Sequence, residues 1–370
     1  MSGPAVGTAP VGGVRPNVQR WTRLSRAFVG SVVGVAVLLA FVPVTLSANV
    51  TQKLTAFFIL VMLATMWNAL AGYGGLVSVG QQAYIGIGAY GTVWLAHQGV
   101  SPYPAMMLAT LFSGVVAVVF SFLLLRLRGG QFAIATWVVA EVFRVVVSLD
   151  KGLGAGTGIS LIELNRYDLA QRQAYTYWLT LFCAVALMAA LFVLLRSRLG
   201  ASLQAIRDDE DAAASVGVRV LWGKRVLYVF AGLGCGAVGA TMLANTLFIQ
   251  PNSVFGVNWM AFAIFMVLVG GLGTIEGPVI GAAALFLIQD WFSDLGVWYL
   301  IGLGVVAILF ALLLPRGVWG TIEGRFGIQL MPVGYRVRGL LKREGRGASA
   351  TEGGDPPRPA DAEDQQAAEK

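Results

Sequence analysis

Asp208, Asp209, Glu210 and Asp211 are four consecutive acids, with Arg207 directly before them and Arg219, Lys224 and Arg225 after them. Such a run does not make a catalytic centre. Its chemistry is electrostatic recognition, in which displayed charges meet polar groups at the rim of another molecule. The surrounding stretch Arg196–Lys224, RSRLGASLQAIRDDEDAAASVGVRVLWGK, is a polar island. From Ala201 it suits one short helix, rich in alanine and free of proline, with Gly217 where a terminating glycine would sit. Leu203, Ile206, Ala213 and Val216 make an incomplete apolar stripe at helical spacing. Two readings follow from the residues: the stripe enters a groove of a soluble partner with Arg207, Asp208, Asp209 and Glu210 at the rim, or the island is a solvated loop near lipid headgroups.

Two further sets of residues could do chemistry. Glu141 and Arg144 lie within the apolar segment IATWVVAEVFRVVVSL. Three apart on a helix, they share a face and can pair. Charges inside a membrane are costly and functional suspects; a self-satisfied pair that only orients its helix is the equal alternative. Asn68, Gln81 and Gln82 flank a glycine-rich break, GYGGLVSVGQQAYIGIGAYG at 72–91, which includes Gly74 and Gly75. A second break, GGLGTIEGP at Gly270–Pro278, holds Gly270, Gly271 and Gly273. Both carry Gly-Gly-Leu directly after an apolar run. Interrupted spans at corresponding positions of two halves mark the pathway of some transporters, while small residues also serve close helix packing. The amides either line a route for a polar solute or bond across helices.

Other chemistries lack their residues. His97 is the only histidine and has no Cys/His/Asp/Glu cluster around it, so no metal site is expected. Cys183 and Cys235 fall inside apolar runs and read as packing thiols rather than a disulfide. No G-x-x-x-x-G-K-[ST] occurs, so the chain has no Walker loop for ATP.

The elements that position these residues follow from composition. Of 370 residues, 57% are hydrophobic and 12% charged, with mean hydropathy +0.73. Soluble domains carry about twice that charged fraction. Only a bilayer absorbs so much apolar surface, and a spanning helix needs roughly 17–25 apolar residues. Runs at 28–46, 53–71, 76–97, 104–125, 131–149, 174–195, 225–248, 257–271, 276–291 and 296–314 predict an all-α polytopic membrane protein with about ten transmembrane helices. The pair 257–271 and 276–291 reads either as two short spans or as one kinked helix. A cleaved signal peptide ending near Ala48 is a rival for the first run, but the run exceeds the roughly 7–15 residues of a signal core.

With ten spans, the basic arm at 1–26, Arg126 and Arg128, the island, and the basic segment after Leu314 all fall on one side, which the positive-inside rule makes cytoplasmic. The island then lies between spans six and seven. The formal charge of +7 is spread over these short loops, so it does not point to nucleic acid. The expected organisation is a disordered basic cytoplasmic arm at 1–26, a membrane domain at 27–315 with a loop at 196–224, and a juxtamembrane segment with a disordered tail at 316–370.

Asp211-Ala212-Ala213, three residues, then Gly217 resembles the E-A-A-x3-G motif of bacterial ABC-importer permeases, with Asp in place of Glu. Together with WNALAGYGGLVSVGQQAYIGIGAYG, LRLRGGQFAIATWVVAEVFR and VLVGGLGTIEGPVIGAA, the chain resembles the branched-chain amino acid permease family (LivH/LivM), most closely its LivM-type subunit, from about Trp67 to Pro315. Gln81 stands where many members have His. The resemblance implies ABC importer permease architecture and a bacterial inner-membrane location. It also implies a second, LivH-type permease, two cytoplasmic ABC ATPases that hold ATP and Mg, and a periplasmic or lipid-anchored substrate-binding protein. No cofactor is expected in this chain, which would be a transporter subunit and no enzyme. The motif's role as an ATPase-coupling helix passes to Ala205, Ile206, Arg207, Asp208, Asp209, Glu210, Asp211, Ala212, Ala213 and Gly217. The alternatives are an ATP-independent secondary transporter using Glu141, a scaffold subunit without a pathway, and an importer of the same family for urea or small organic acids.

Overall fold

The computed structural model describes residues 17–19, 23–292, 296–314, 316–326 and 336–338. The chain divides into two units, one of 1–22 with 334–370 and one of 23–333. In the first, β1 (Asn17–Gln19) pairs antiparallel with β4 (Arg336–Arg338); most of the expected arm and tail lies outside the described residues.

The second unit is helical: α1 (Arg23–Ala40), α2 (Val42–Thr45), α3 (Ala48–Asn68), α4 (Gln82–His97), α5 (Pro102–Leu124), α6 (Gly130–Leu149), α7 (Leu169–Arg196), α8 (Arg198–Asp208), α9 (Glu210–Ser215), α10 (Val220–Thr246), α11 (Pro251–Val254), α12 (Asn258–Gly270), α13 (Gly277–Phe292), α14 (Val297–Leu313) and α15 (Gly317–Phe326). Among the described residues, seven helical segments are long and apolar enough to cross a membrane: Ala48–Tyr73, Pro102–Leu124, Gly130–Leu149, Leu169–Arg196, Val220–Thr246, Pro251–Gly270 and Trp298–Arg325. The other three apolar runs supply α1, of 18 residues, and α4 and α13, of 16 residues each. Sixteen residues rise about 24 Å, short of a hydrocarbon core about 30 Å thick. The pair left open at 257–291 is two helices, α12 and α13, separated by residues 271–276. They lie close because Gly270 and Gly281 leave room for main chain: a Cβ on either would enter the carbonyl of Gly277 or Met266.

The core is built on α3 and α10, whose apolar windows are 83% and 78% buried, against 17% for α6. α10 packs on α3, α4 and α5. Its glycines make that possible, since Gly232 admits Ala117, Gly236 admits Ser113, and Gly239 lies on the main chain of Ile85. Small residues spaced this way let backbones approach. Ser113 Oγ then donates to the Gly232 carbonyl at 2.9 Å, and the Tyr84 hydroxyl donates to that of Tyr228 at 2.8 Å.

The relative placement of the loops agrees with the charge pattern. Arg128, in the loop before α6, lies 3.7 Å from Glu210 and 3.6 Å from Asp211 of the island. At the other end, β2 (Ile159–Ser160) pairs antiparallel with β3 (Phe248–Ile249), joining the two loops that carry no basic excess.

Candidate functional site

The island folds as two helices where one was expected. Ser197 starts α8, its Oγ accepting from the Leu199 amide at 3.2 Å. The helix stops at Asp209, whose backbone is extended (φ −156°, ψ 111°). Its carboxylate instead caps α9: Oδ1 accepts from the amides of Asp211 at 3.0 Å and Ala212 at 2.9 Å. Aspartate is poor inside a helix and good at its start because its short acceptor satisfies otherwise unpaired amides. α9 ends as the residues predict. Gly217 has φ +86°, its amide bonds to the Ala214 carbonyl at 3.0 Å, and Val218 bonds to Ala213 at 3.1 Å, the pairing of a Schellman cap.

The apolar stripe is spent within the chain. Leu203, Ile206 and Ala213 are buried, and Leu203 and Ile206 pack on Gly223 at the start of α10. Only Val216, 79% exposed, remains on the surface. The expectation that the whole stripe enters a partner's groove is therefore corrected: the turn from α8 to α10 brings those side chains against their own helix. The exposed residues of α8, α9 and their ends include Ala205, Arg207, Asp208, Asp209, Asp211, Ala212 and Val216.

The charges divide into an inner and an outer set. Lys224 Nζ donates to Glu210 Oε2 at 2.6 Å, with side chains 11% and 28% exposed. Asp211 is 85% exposed at the side chain, and its approach to Arg128 is the kind of surface pair worth little by itself. Arg207, 40% exposed at the side chain, bridges the two sets. Its Nε and Nη2 donate to Asp208 Oδ1 at 3.1 and 3.0 Å, and its Nη1 donates to the carbonyl of Gly72 at 3.0 Å.

Gly72 lies in the first glycine break. After α3 the chain makes one wide π-helical turn, Ala69–Tyr73, then turns at Gly75 with φ +65°. Such turns recur at functional positions. Asn68 faces the second break: its Nδ2 donates to the Thr274 carbonyl at 2.7 Å, and its Oδ1 accepts from the Gly273 amide at 2.8 Å. Gly273 (φ +76°) and Gly271 (φ +132°) make a fold open only to glycine. A Cβ on Gly72 would strike Asn68 Oδ1 and the backbone of Gly273. The two breaks thus touch, and Arg207 sits on their junction. Gly74 packs on Leu227, and Gly270 on Gly277.

Gln81 and Gln82, at the start of α4, are 1% and 0% exposed. Cys235 Sγ donates to Gln81 Oε1 at 3.6 Å. Gln81 Nε2 and both side-chain polar atoms of Gln82 have no partner among the described residues. They do not join Asn68, whose Nδ2 and Oδ1 each bond to the second break. Glu141 and Arg144 pair as their spacing predicts, Arg144 Nε to Glu141 Oε1 at 2.8 Å, and Arg144 Nη1 also donates to Asn252 Oδ1 at 2.8 Å. Sequence reasoning placed Lys224 in the island and Arg128 on its side, but did not pair them with Glu210 and Asp211. The signal was present, since both are basic residues adjoining loops assigned to the island's side.

The family model described as branched-chain amino acid transport system, permease component, matches residues 49–319, a span that contains the island and both breaks. The high-affinity branched-chain amino acid transport system permease protein LivM of Salmonella typhimurium and that of Escherichia coli strain K12 are each 26% identical over 303 residues, covering 75% of this chain and 71% of the relative. The ribose import permease protein RbsC of Escherichia coli strain K12 is 30% identical over 138 residues, 36% of this chain and 43% of that protein.

Proposed function

Since the chain belongs to the family of permease components of branched-chain amino acid transport systems, we propose that it forms one membrane half of an ATP-driven importer working by alternating access. It is a multi-pass permease subunit of a bacterial inner-membrane family and not itself an enzyme. ABC permeases of this kind work with ATPases and binding proteins. In our reading the partners are a second, LivH-type permease, two cytoplasmic ATPases that hold ATP and Mg, and an external substrate-binding protein. All ten apolar runs cross or enter the bilayer, with both termini cytoplasmic, and branched-chain or related amino acids are the cargo.

The observation that carries the mechanism is the inward contact of Arg207. The ATPase docks on the outward residues between Ala205 and Gly217, above all Asp208 and Asp211. Movement of α8 and α9 is then passed through Arg207 to the Gly72 carbonyl, where the two broken helices meet. A driven equilibrium moves only by the difference in binding free energy between its two states. A direct hydrogen bond from docking element to break supplies a route by which that difference is felt in the membrane. Gln81 and Gln82, with three unpartnered polar atoms, are the residues of this chain assigned to the solute's route.

The test is ATP-driven amino acid uptake by proteoliposomes holding all subunits. Asp208→Lys and Asp211→Lys are expected to lose uptake and ATPase association while membrane insertion survives. Normal uptake by both variants sinks the docking role.

A further inference from the structure

We infer that the end of the helix bundle far from the island holds a binding site for the carboxylate group of a small solute. α7 rises about 42 Å over its 28 residues, so its start is remote from α8. There the starts of α3 and α7 and the end of α10 enclose a cavity of about 250 Å³. Its polar lining comes from Gln52 and Thr55 on α3, Arg172, Gln173 and Thr176 on α7, and Asn245 and Thr246 on α10. No acidic side chain lines it.

The lining is rich in unused donors. The guanidinium of Arg172 has no hydrogen bond or ion pair among the described residues, and neither do the side-chain amides of Gln52, Gln173 and Asn245. Thr176 is 3% exposed, and its hydroxyl lies against the Tyr103 hydroxyl without a hydrogen bond of full geometry. A helical threonine ordinarily bonds back to the carbonyl four residues earlier, as Thr180 does to Thr176 at 2.7 Å. For Thr176 that carbonyl belongs to Arg172, where the Tyr103 hydroxyl donates at 3.2 Å beside the helical amide bond. Both lone pairs are engaged, so the Thr176 hydroxyl turns toward the Tyr103 hydroxyl that displaced it.

A guanidinium without a partner, ringed by side-chain amides that are also unbonded, describes a place for an acceptor-only anion of planar shape. Guanidinium and carboxylate match in a two-bond fork. With no acid present, the cavity offers an ammonium group neutral amide oxygens but no charge partner. The volume, below the roughly 300–1,000 Å³ of pockets for larger ligands, fits a compact aliphatic acid. The inference rests on the permease reading for its place at the outer mouth of the route, where a released solute would first meet the membrane subunit.

The assembled complex in lipid nanodiscs, without its soluble binding protein, is titrated with isovalerate, L-leucine and L-leucinamide by calorimetry. Isovalerate and L-leucine are expected to bind alike, and L-leucinamide about tenfold or more weaker. Arg172→Gln should weaken both carboxylates by about tenfold or more, and Arg172→Lys by less, at an unchanged Tm. Equal binding of L-leucinamide, or no effect of Arg172→Gln, overturns the site. So does a cavity that binds none of the probes while Arg172→Gln weakens capture of the soluble binding protein, because the cavity is then a protein contact. ATP-driven uptake measured on the same subunits separates the two readings. Arg172-dependent isovalerate binding without uptake refutes the transport reading and keeps the site; uptake with binding indifferent to Arg172 refutes the site alone.

Discussion

Arg207 and Gly72 are joined by a 3.0 Å hydrogen bond from a guanidinium nitrogen to a main-chain oxygen, across 135 residues of sequence. The same guanidinium holds Asp208. One side chain therefore ties the exposed acids of the island to the point where α3 is broken. Arg207→Met keeps the length and removes the donors. It is expected to lower uptake by about tenfold or more, corresponding to a loss of about 1.4 kcal/mol of coupling, and to raise the ATP hydrolysed per solute carried. Arg207→Lys can meet Gly72 or Asp208 but lacks the fork for both, so it should fall between. Both quantities are read in one proteoliposome assay.

Asn68 satisfies two backbone groups of the second break at once. Asn68→Ala orphans the Gly273 amide and the Thr274 carbonyl, at about 1–3 kcal/mol for each buried group left unpaired. Asn68→Asp keeps an acceptor for Gly273 but loses the donor to Thr274. Melting temperatures of the purified chain should rank wild type above Asn68→Asp above Asn68→Ala.

Gly72→Ala places a methyl group where Asn68 and Gly273 already lie. Overfilling a packed site costs about 1–3 kcal/mol, so Tm and yield should fall. Gly302→Ala, on α14 where a Cβ meets nothing within 4 Å, is the control and should fold as wild type.

Asp209→Ala removes the cap of α9, worth about 1 kcal/mol. Hydrogen exchange at the Asp211 and Ala212 amides, which bond to the Asp209 carboxylate, should quicken by about fivefold, while α8 is unaffected. Asp209→Asn retains the acceptor and should restore protection. Unchanged exchange in Asp209→Ala would mean that packing of Ala213, not the cap, holds α9.

Much of the architecture was legible in the residues because it is written in local quantities. Apolar runs of bilayer length announced the helices, since a spanning segment must satisfy its own backbone. The basic residues placed Arg128 on the island's side, and Glu141 and Arg144 paired because three residues bring side chains to one face of a helix. Gly217 stopped its helix because a left-handed turn costs glycine little. The split at Asp209 was less legible: the same acid that decorates a helix surface also caps one, and only the extended backbone there decided between them.

What tertiary structure alone decided is where the side chains were spent. Periodicity marked Leu203 and Ile206 as a stripe, but it could not say that the stripe lies on Gly223 of the same chain. Composition marked the two glycine breaks as alike, yet their junction depends on Asn68 meeting Thr274 across 206 residues. Nothing local predicts that Arg207 reaches the Gly72 carbonyl while Asp211 stays in solvent, or that Tyr103 takes the carbonyl Thr176 would use. Spacing along the chain determines which residues share a face of their own helix. Which face meets which neighbour is settled only when the helices pack and each buried polar group must find a partner.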